Sequence, residues 1–275
     1  MQALERPIHS VFNKAAGLRQ DRFLILVISE INSMSGLFKK ELSIYLNTLM
    51  AYISIGVFLL TCALLLWFFP DTSIFEYGYA EMNSFFSLVP FIFIFLVPAL
   101  SMRSFAEERA QGTYVLLATR PLTDLQIVLA KYFACVVLVL LALLPTLVYY
   151  YSLYILGQPE GNIDSGAVAG SYIGLILLGA AFAAIGIFAS SLSKNQVVAF
   201  VIAVFLCFFV FSGFEASGRL FEWQWLGNLL LYFGMNGHYE SMSRGVVDTR
   251  DVIYFISCIA LFLALTKYVI GRRQW

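Results

Sequence analysis

Charge is scarce in this chain. Only 12% of its 275 residues are Asp, Glu, Lys or Arg, while 60% are hydrophobic and the mean hydropathy is +0.83. An ordinary soluble domain carries about 25% charged residues. Several apolar runs approach the ~20 residues that cross a hydrocarbon layer, which excludes a soluble enzyme. Seventeen basic residues balance seventeen acidic ones, so the molecule has no net field with which to gather nucleic acid. The four cysteines (Cys62, Cys135, Cys207 and Cys258) lie far apart inside apolar runs. Without a C-x-x-C pair or a neighbouring His they make no zinc or redox site and no disulfide framework. There is no N-x-[ST] glycosylation acceptor, so nothing argues for a secreted ectodomain, and no G-x-x-x-x-G-K-[ST] loop to cradle a nucleotide phosphate.

What remains is an all-α membrane protein. Hydropathy predicts six spans at roughly 50–69, 85–102, 126–156, 167–190, 197–214 and 252–270, the second interrupted by Pro90 and Pro98. Their interiors lack charge: Lys131 sits near the start of the third, where its stem is expected to snorkel to the interface, and Glu215 lies just past the fifth. A buried proton relay is therefore not expected. Fourteen of the seventeen basic residues fall on one side of this topology: Arg6, Lys14, Arg19, Arg22, Lys39 and Lys40, then Arg103, Arg109, Arg120 and Lys131, then Lys194, Lys267, Arg272 and Arg273. Only Arg219, Arg244 and Arg250 fall on the other, which places both termini in the cytoplasm by the positive-inside rule.

Phe23 to Ile28 is apolar but too short to span and has no cleavage site after it, so it is not read as a signal peptide. Residues 1–33 read as an N-terminal cytoplasmic extension, disordered or not native, because Met34 opens M-S-G-L-F-K-K-E-L like the start of a permease. Between Leu37 and Leu49 the pattern is amphipathic. Phe38, Leu42, Tyr45, Leu46 and Leu49 share one face and Lys39, Lys40, Ser43 and Asn47 the other, which predicts a helix lying in the interface or a simple extension of the first span.

The most specific stretch is residues 101–132. A charged helix with Arg103, Glu107, Glu108 and Arg109 breaks at Gly112, an apolar turn from Tyr114 to Leu117 stops before Pro121, and Thr123 caps a new helix with Asp124 at the positive end of its dipole. Glu108, Gly112, Thr113, Leu117, Pro121 and Lys131 together resemble the cytoplasmic segment of ABC-2-type ABC transporter permeases, although Val115 stands where many members carry a second acid. Phe38–Leu42, Thr119–Tyr132 and His238–Asp251 are similar to the gliding-motility-associated permease subunits of that family, and the resemblance covers roughly residues 36–270. It implies a six-span permease domain over 34–270 with a cytoplasmic tail at 271–275, in the bacterial inner membrane. It also implies an ATPase-coupling segment formed by Arg103, Glu107, Glu108, Arg109, Gly112, Thr113, Leu117 and Pro121. The chain would carry no catalytic, cofactor or metal site of its own. ATP and Mg would belong to a separate cytoplasmic ABC ATPase subunit. A second membrane subunit with a large extracytoplasmic part, or a homodimer mate, would complete the complex in the lipid bilayer. Two rival roles remain: a scaffold for a motility or secretion assembly, and an exporter of lipid-linked polysaccharide or drugs.

Residues 215–251 form the long far-side stretch. Leu220 to Phe233, with Trp223 and Trp225, is too short to cross and is expected to be re-entrant or interfacial. His238, Tyr239, Glu240, Arg244, Asp248, Arg250 and Asp251 follow as a polar turn whose charges pair with one another or gate a pathway. Glu215, Trp223, Trp225, His238 and Arg244 are the outer-gate candidates. In the fourth span Gly179, Ala183, Gly186 and Ser190 make a small-residue stripe for close helix packing, within the bundle or against a second subunit.

Overall fold

The computed structural model describes residues 34–69, 82–113, 122–220 and 232–272. It is all-helical over these residues, and six of its helices are long and apolar enough to cross a membrane: Leu49–Trp67, Asn83–Ala110, Asp124–Leu156, Ser165–Leu192, Gln196–Gly218 and Thr249–Arg272. The predicted spans all form. A short helix α1 (34–46) precedes them and is separated by the break at Asn47 and Thr48 from α2 (Leu49–Trp67), so it is not an extension of the first span. The second span is α3 (Asn83–Ser101) followed directly by the charged helix α4 (Arg103–Ala110).

The third span begins at α5 (Asp124–Leu143), where Thr123 and Gln126 form a reciprocal capping box. At Pro145, which lacks an N–H for the helical ladder, the chain tightens into a 3-10 turn (Leu144–Thr146) before α6 (Leu147–Leu156). Span four is the single helix α7 (Ser165–Leu192), capped by Asp164, whose carboxylate accepts from the N–H groups of Gly166 and Ala167. Span five, α8 (Gln196–Phe208), widens into a π turn (Phe209–Gly213) and continues as α9 (Phe214–Leu220). A far-side helix α10 (Met235–Ser243) leads to span six, α11 (Thr249–Arg272).

Helix α7 is the hub. It packs against α3, α4, α5, α8, α10 and α11, and the small-residue stripe explains why. A Cβ on Gly179 would lie 2.7 Å from Val139 Cγ1 and 3.2 Å from Phe93, and one on Gly186 would lie 2.8 Å from Ser101 Cβ. Ala183 and Ser190 on the same helix are fully buried. The stripe therefore packs inside the six-helix unit, not against a second subunit. Around it Phe85, Phe86, Tyr149 and Tyr172 interlock edge to face, and Tyr149 donates its hydroxyl to the Leu59 carbonyl, 3.0 Å away, tying α6 to α2. Spans one, five and six are the least buried; their apolar flanks face outward from the bundle.

Two expectations change. The inward face of α1 is Leu37, Glu41 and Tyr45, rotated from the face read off the sequence, and Leu46 and Leu49 are exposed. Residues 238–243 are not a polar turn but part of α10, because Met235, Tyr239 and Met242 recur at helical spacing and bury against α7. The apolar run with Trp223 and Trp225, residues 1–33, and Leu117 and Pro121 lie outside the described residues.

Candidate functional site

At the end of the bundle where most of the described basic residues lie, three elements meet around one ammonium. Lys131 stands nearly two turns into α5 and, against the expectation of snorkelling, its side chain is 1% exposed. Its Nζ lies 3.0 Å from Glu41 Oε2 on α1 and 2.9 Å from Glu108 Oε1 on α4, and 5.2 Å above the Phe105 ring. The expectation that the spans hold no buried charge is corrected here, and the physical reason is pairing: a buried ammonium is tolerated when carboxylates close around it. Two carboxylates share one ammonium, and their outer oxygens, Glu41 Oε1 and Glu108 Oε2, accept no hydrogen bond among the described residues. Tyr45 adds a second tie from α1 to α4, its hydroxyl 2.6 Å from Ser104 Oγ. Burial pushes the Tyr45 phenol well above its ordinary value, helped by Cys135 and the two nearby glutamates and opposed by Ser104. It stays a neutral hydroxyl.

Helix α4 has no cap of its own at its start. Ser190 of α7 supplies one from across the bundle, accepting from the N–H groups of Phe105 (3.0 Å) and Ala106 (3.1 Å) while donating to the Met102 carbonyl (2.8 Å). Arg109, 5% exposed, donates to the Ser191 carbonyl. Thus Glu108 and Arg109 point inward and fasten α4 to spans three and four. Arg103 and Glu107 pair on the outer side at 3.3 Å, each about a third exposed. Just past the end of the helix stands Gly112, whose φ of +70° is a left-handed conformation that glycine adopts without strain, and Thr113 bonds back to the Glu108 carbonyl at 3.3 Å. The tip formed by 110–113 is exposed.

A cleft of about 280 Å³ opens between α1 and α4, lined on its floor by Glu41, Glu108 and Lys131 and on its rim by Lys40, Arg103 and Glu107. Sequence reasoning missed Glu41 as a site residue. The only signal was its place one turn from the apolar face of an amphipathic helix.

The opposite end is built separately. His238 Nδ1 lies 2.7 Å from Asp251 Oδ1 and its Nε2 3.1 Å from the Tyr232 carbonyl, and its ring stacks on Tyr254 with centroids 4.0 Å apart. Arg244 pairs with Glu240 one turn away. Asn236 donates to Glu215 at 2.7 Å, joining α10 to the end of span five. Asp248 caps the start of α11 by accepting from the Arg250 N–H, and that bond lowers its carboxyl from the usual range.

No curated protein matches the chain. The family model described as ABC-2 family transporter protein matches residues 72–239, a stretch that takes in spans two to five, the charged helix α4 and the start of the far-side helix. It covers well over half the sequence, and the chain therefore belongs to the ABC-2 family of transporter membrane proteins.

Proposed function

We propose that the chain is the permease subunit of an ATP-driven ABC transporter complex linked to bacterial gliding motility, seated in the inner membrane with both termini cytoplasmic. A separate cytoplasmic ATPase binds ATP and Mg, and a second membrane subunit completes the complex. The observation that carries this reading is the Lys131 cluster. A helix that merely connected two spans would gain little from burying three charges, whereas a helix that receives force from a partner must be fixed to what it moves. Through Glu108 the charged helix α4 is fastened to span three, through Arg109 and Ser190 to span four, and through Lys131 and Glu41 to α1. Its exposed tip at Gln111, Gly112 and Thr113 is where the ATPase docks, and a displacement there reaches two spans without passing through a flexible joint.

The experiment is co-purification of the ATPase with Thr113→Trp and Gly112→Val, with hydrolysis rates measured in the reconstituted complex. Thr113→Trp adds bulk to an exposed position and is expected to block docking at least tenfold while the chain still inserts. Gly112→Val strains the turn and is expected to leave insertion intact but uncouple hydrolysis. Wild-type retention and activity in both variants would refute the role of the tip.

A further inference from the structure

Span two runs as one helix through Pro90. A proline has no N–H, so the carbonyl one turn before it, that of Phe86, loses its helical donor. Phe86 is buried, and a buried carbonyl left unpaired costs about as much as a lost hydrogen bond. In hydrocarbon the donor has to come from a neighbouring element. Here it comes from the far side: the Tyr239 hydroxyl of α10 donates to the Phe86 carbonyl at 2.7 Å. Burial pushes the Tyr239 phenol well above its ordinary value, so it keeps the proton it donates. Pro145 is resolved differently, by a 3-10 turn within its own stretch of chain.

Helix α10 is in turn seated on three other spans. On span four, Ser171 donates to the Ser243 carbonyl at 2.8 Å. A Cβ on Gly174 would lie 2.9 Å from Met242 Cβ, and one on Gly170 would lie 2.6 Å from the Gly245 carbonyl oxygen, so the two helices leave no room to slide. Asn236 reaches Glu215 at the end of span five, and His238 reaches Asp251 on span six. Below Pro90, by contrast, span two continues directly into the charged helix α4. One hydroxyl therefore ties the outer end of this span to a fixed helix, while its other end carries the exposed tip. Beside the joint, Phe211 of the span-five π turn packs edge-on against Phe91 with centroids 5.7 Å apart and lies 6.4 Å from the Tyr239 ring. Single π turns of this kind gather at functional sites.

We propose that Pro90 and Tyr239 form a pinned joint in span two. The Tyr239 hydroxyl replaces the missing helical N–H and holds the outer segment, residues 83–89, to α10, while the inner segment, residues 91–101, is left to follow α4. Tyr239 is thus a positioning residue that acts through the Phe86 carbonyl. On the permease reading, on which this consequence rests, a displacement entering at α4 turns the inner segment about Pro90 and leaves the outer segment in place.

The test uses the full-length protein without its ATPase, so its outcome is independent of the docking tip. Tyr239→Phe keeps the ring and removes the donor, and should lower the melting temperature in detergent by about 4 °C. In a Pro90→Ala background the same change should cost less than about 1 °C, because the new N–H at position 90 supplies the Phe86 carbonyl. Spin labels report the joint directly. On a background with the four native cysteines replaced by alanine, a label at Glu240 is paired with one at Ser87 or at Phe95, all exposed positions. The Ser87 pair should give the narrower distance distribution and should broaden in Tyr239→Phe. Should Pro90→Ala misfold, these distributions decide alone. No melting loss in Tyr239→Phe, an equal loss in both backgrounds, or a wild-type Ser87 pair as broad as the Phe95 pair would each overturn the joint.

Discussion

Replacing Lys131 with Met removes the one cation from a buried three-charge cluster and leaves Glu41 and Glu108 facing each other. The side chains of Glu41 and Lys131 are 5% and 1% exposed and that of Glu108 is 16% exposed, so only Glu108 has a short route to water. Removing one partner from a buried ion pair costs about 3–5 kcal/mol, because the remaining charge stays desolvated and uncompensated. Two such contacts are lost here, but the partial exposure of Glu108 relieves one of them, which favours the lower end, about 3 kcal/mol. For a chain of this size each kcal/mol moves the melting temperature by ~2–4 °C, so the apparent midpoint should fall by roughly 6–12 °C. The assay is thermal unfolding of purified protein in detergent, followed by size-exclusion fluorescence. The triple variant Lys131→Met, Glu41→Gln, Glu108→Gln is the control. With no charge left to strand it should recover most of the loss, since a buried ion pair and a neutral replacement of similar volume are close in energy. A Lys131→Met variant melting within about 2 °C of the wild type would show that the cluster is hydrated and that the clamp on α4 is not held by desolvated charge.

Gly186→Leu should lower detergent stability by about 1–3 kcal/mol through overpacking, because even its Cβ lies 2.8 Å from Ser101 Cβ; a wild-type melting curve would show that α3 and α7 separate freely. Ser190→Ala removes the acceptor for the Phe105 and Ala106 N–H groups at a cost of about 1–3 kcal/mol. It should speed hydrogen exchange at α4 before any other helix, and uniform exchange would refute the cross-bundle cap. A cysteine at Asn162 should react with an impermeant thiol reagent from the periplasmic side and one at Asn195 should not; equal labelling of both would refute the six-span topology.

The sequence alone determined the six spans, the break at Gly112, the Thr123 cap, the small-residue face of span four and the family. Each of these is written in a local signal. Hydropathy over ~20 residues reports what can face hydrocarbon, a capping residue acts within one turn, and glycine at a positive φ acts on its own backbone. Through-space pairing leaves no such trace, and here the tertiary structure decided. Glu41 was assigned to neither face of the amphipathic helix, and Lys131 looked like a residue reaching for the interface; only when α1, α4 and α5 converge do the ammonium and carboxylates meet at about 3 Å and become stable inside the protein. Ser190 was legible as a small packing residue, but not as the acceptor that caps a helix belonging to another span. Glu108 and Arg109, which read as surface charges awaiting a partner, are turned inward, because Lys131 of α5 and the Ser191 carbonyl of α7 meet them there, neighbours that the sequence pattern does not encode. Periodicity fixes which residues share a face of one helix; the neighbour each face meets depends on how all six spans pack around the glycine-rich helix α7.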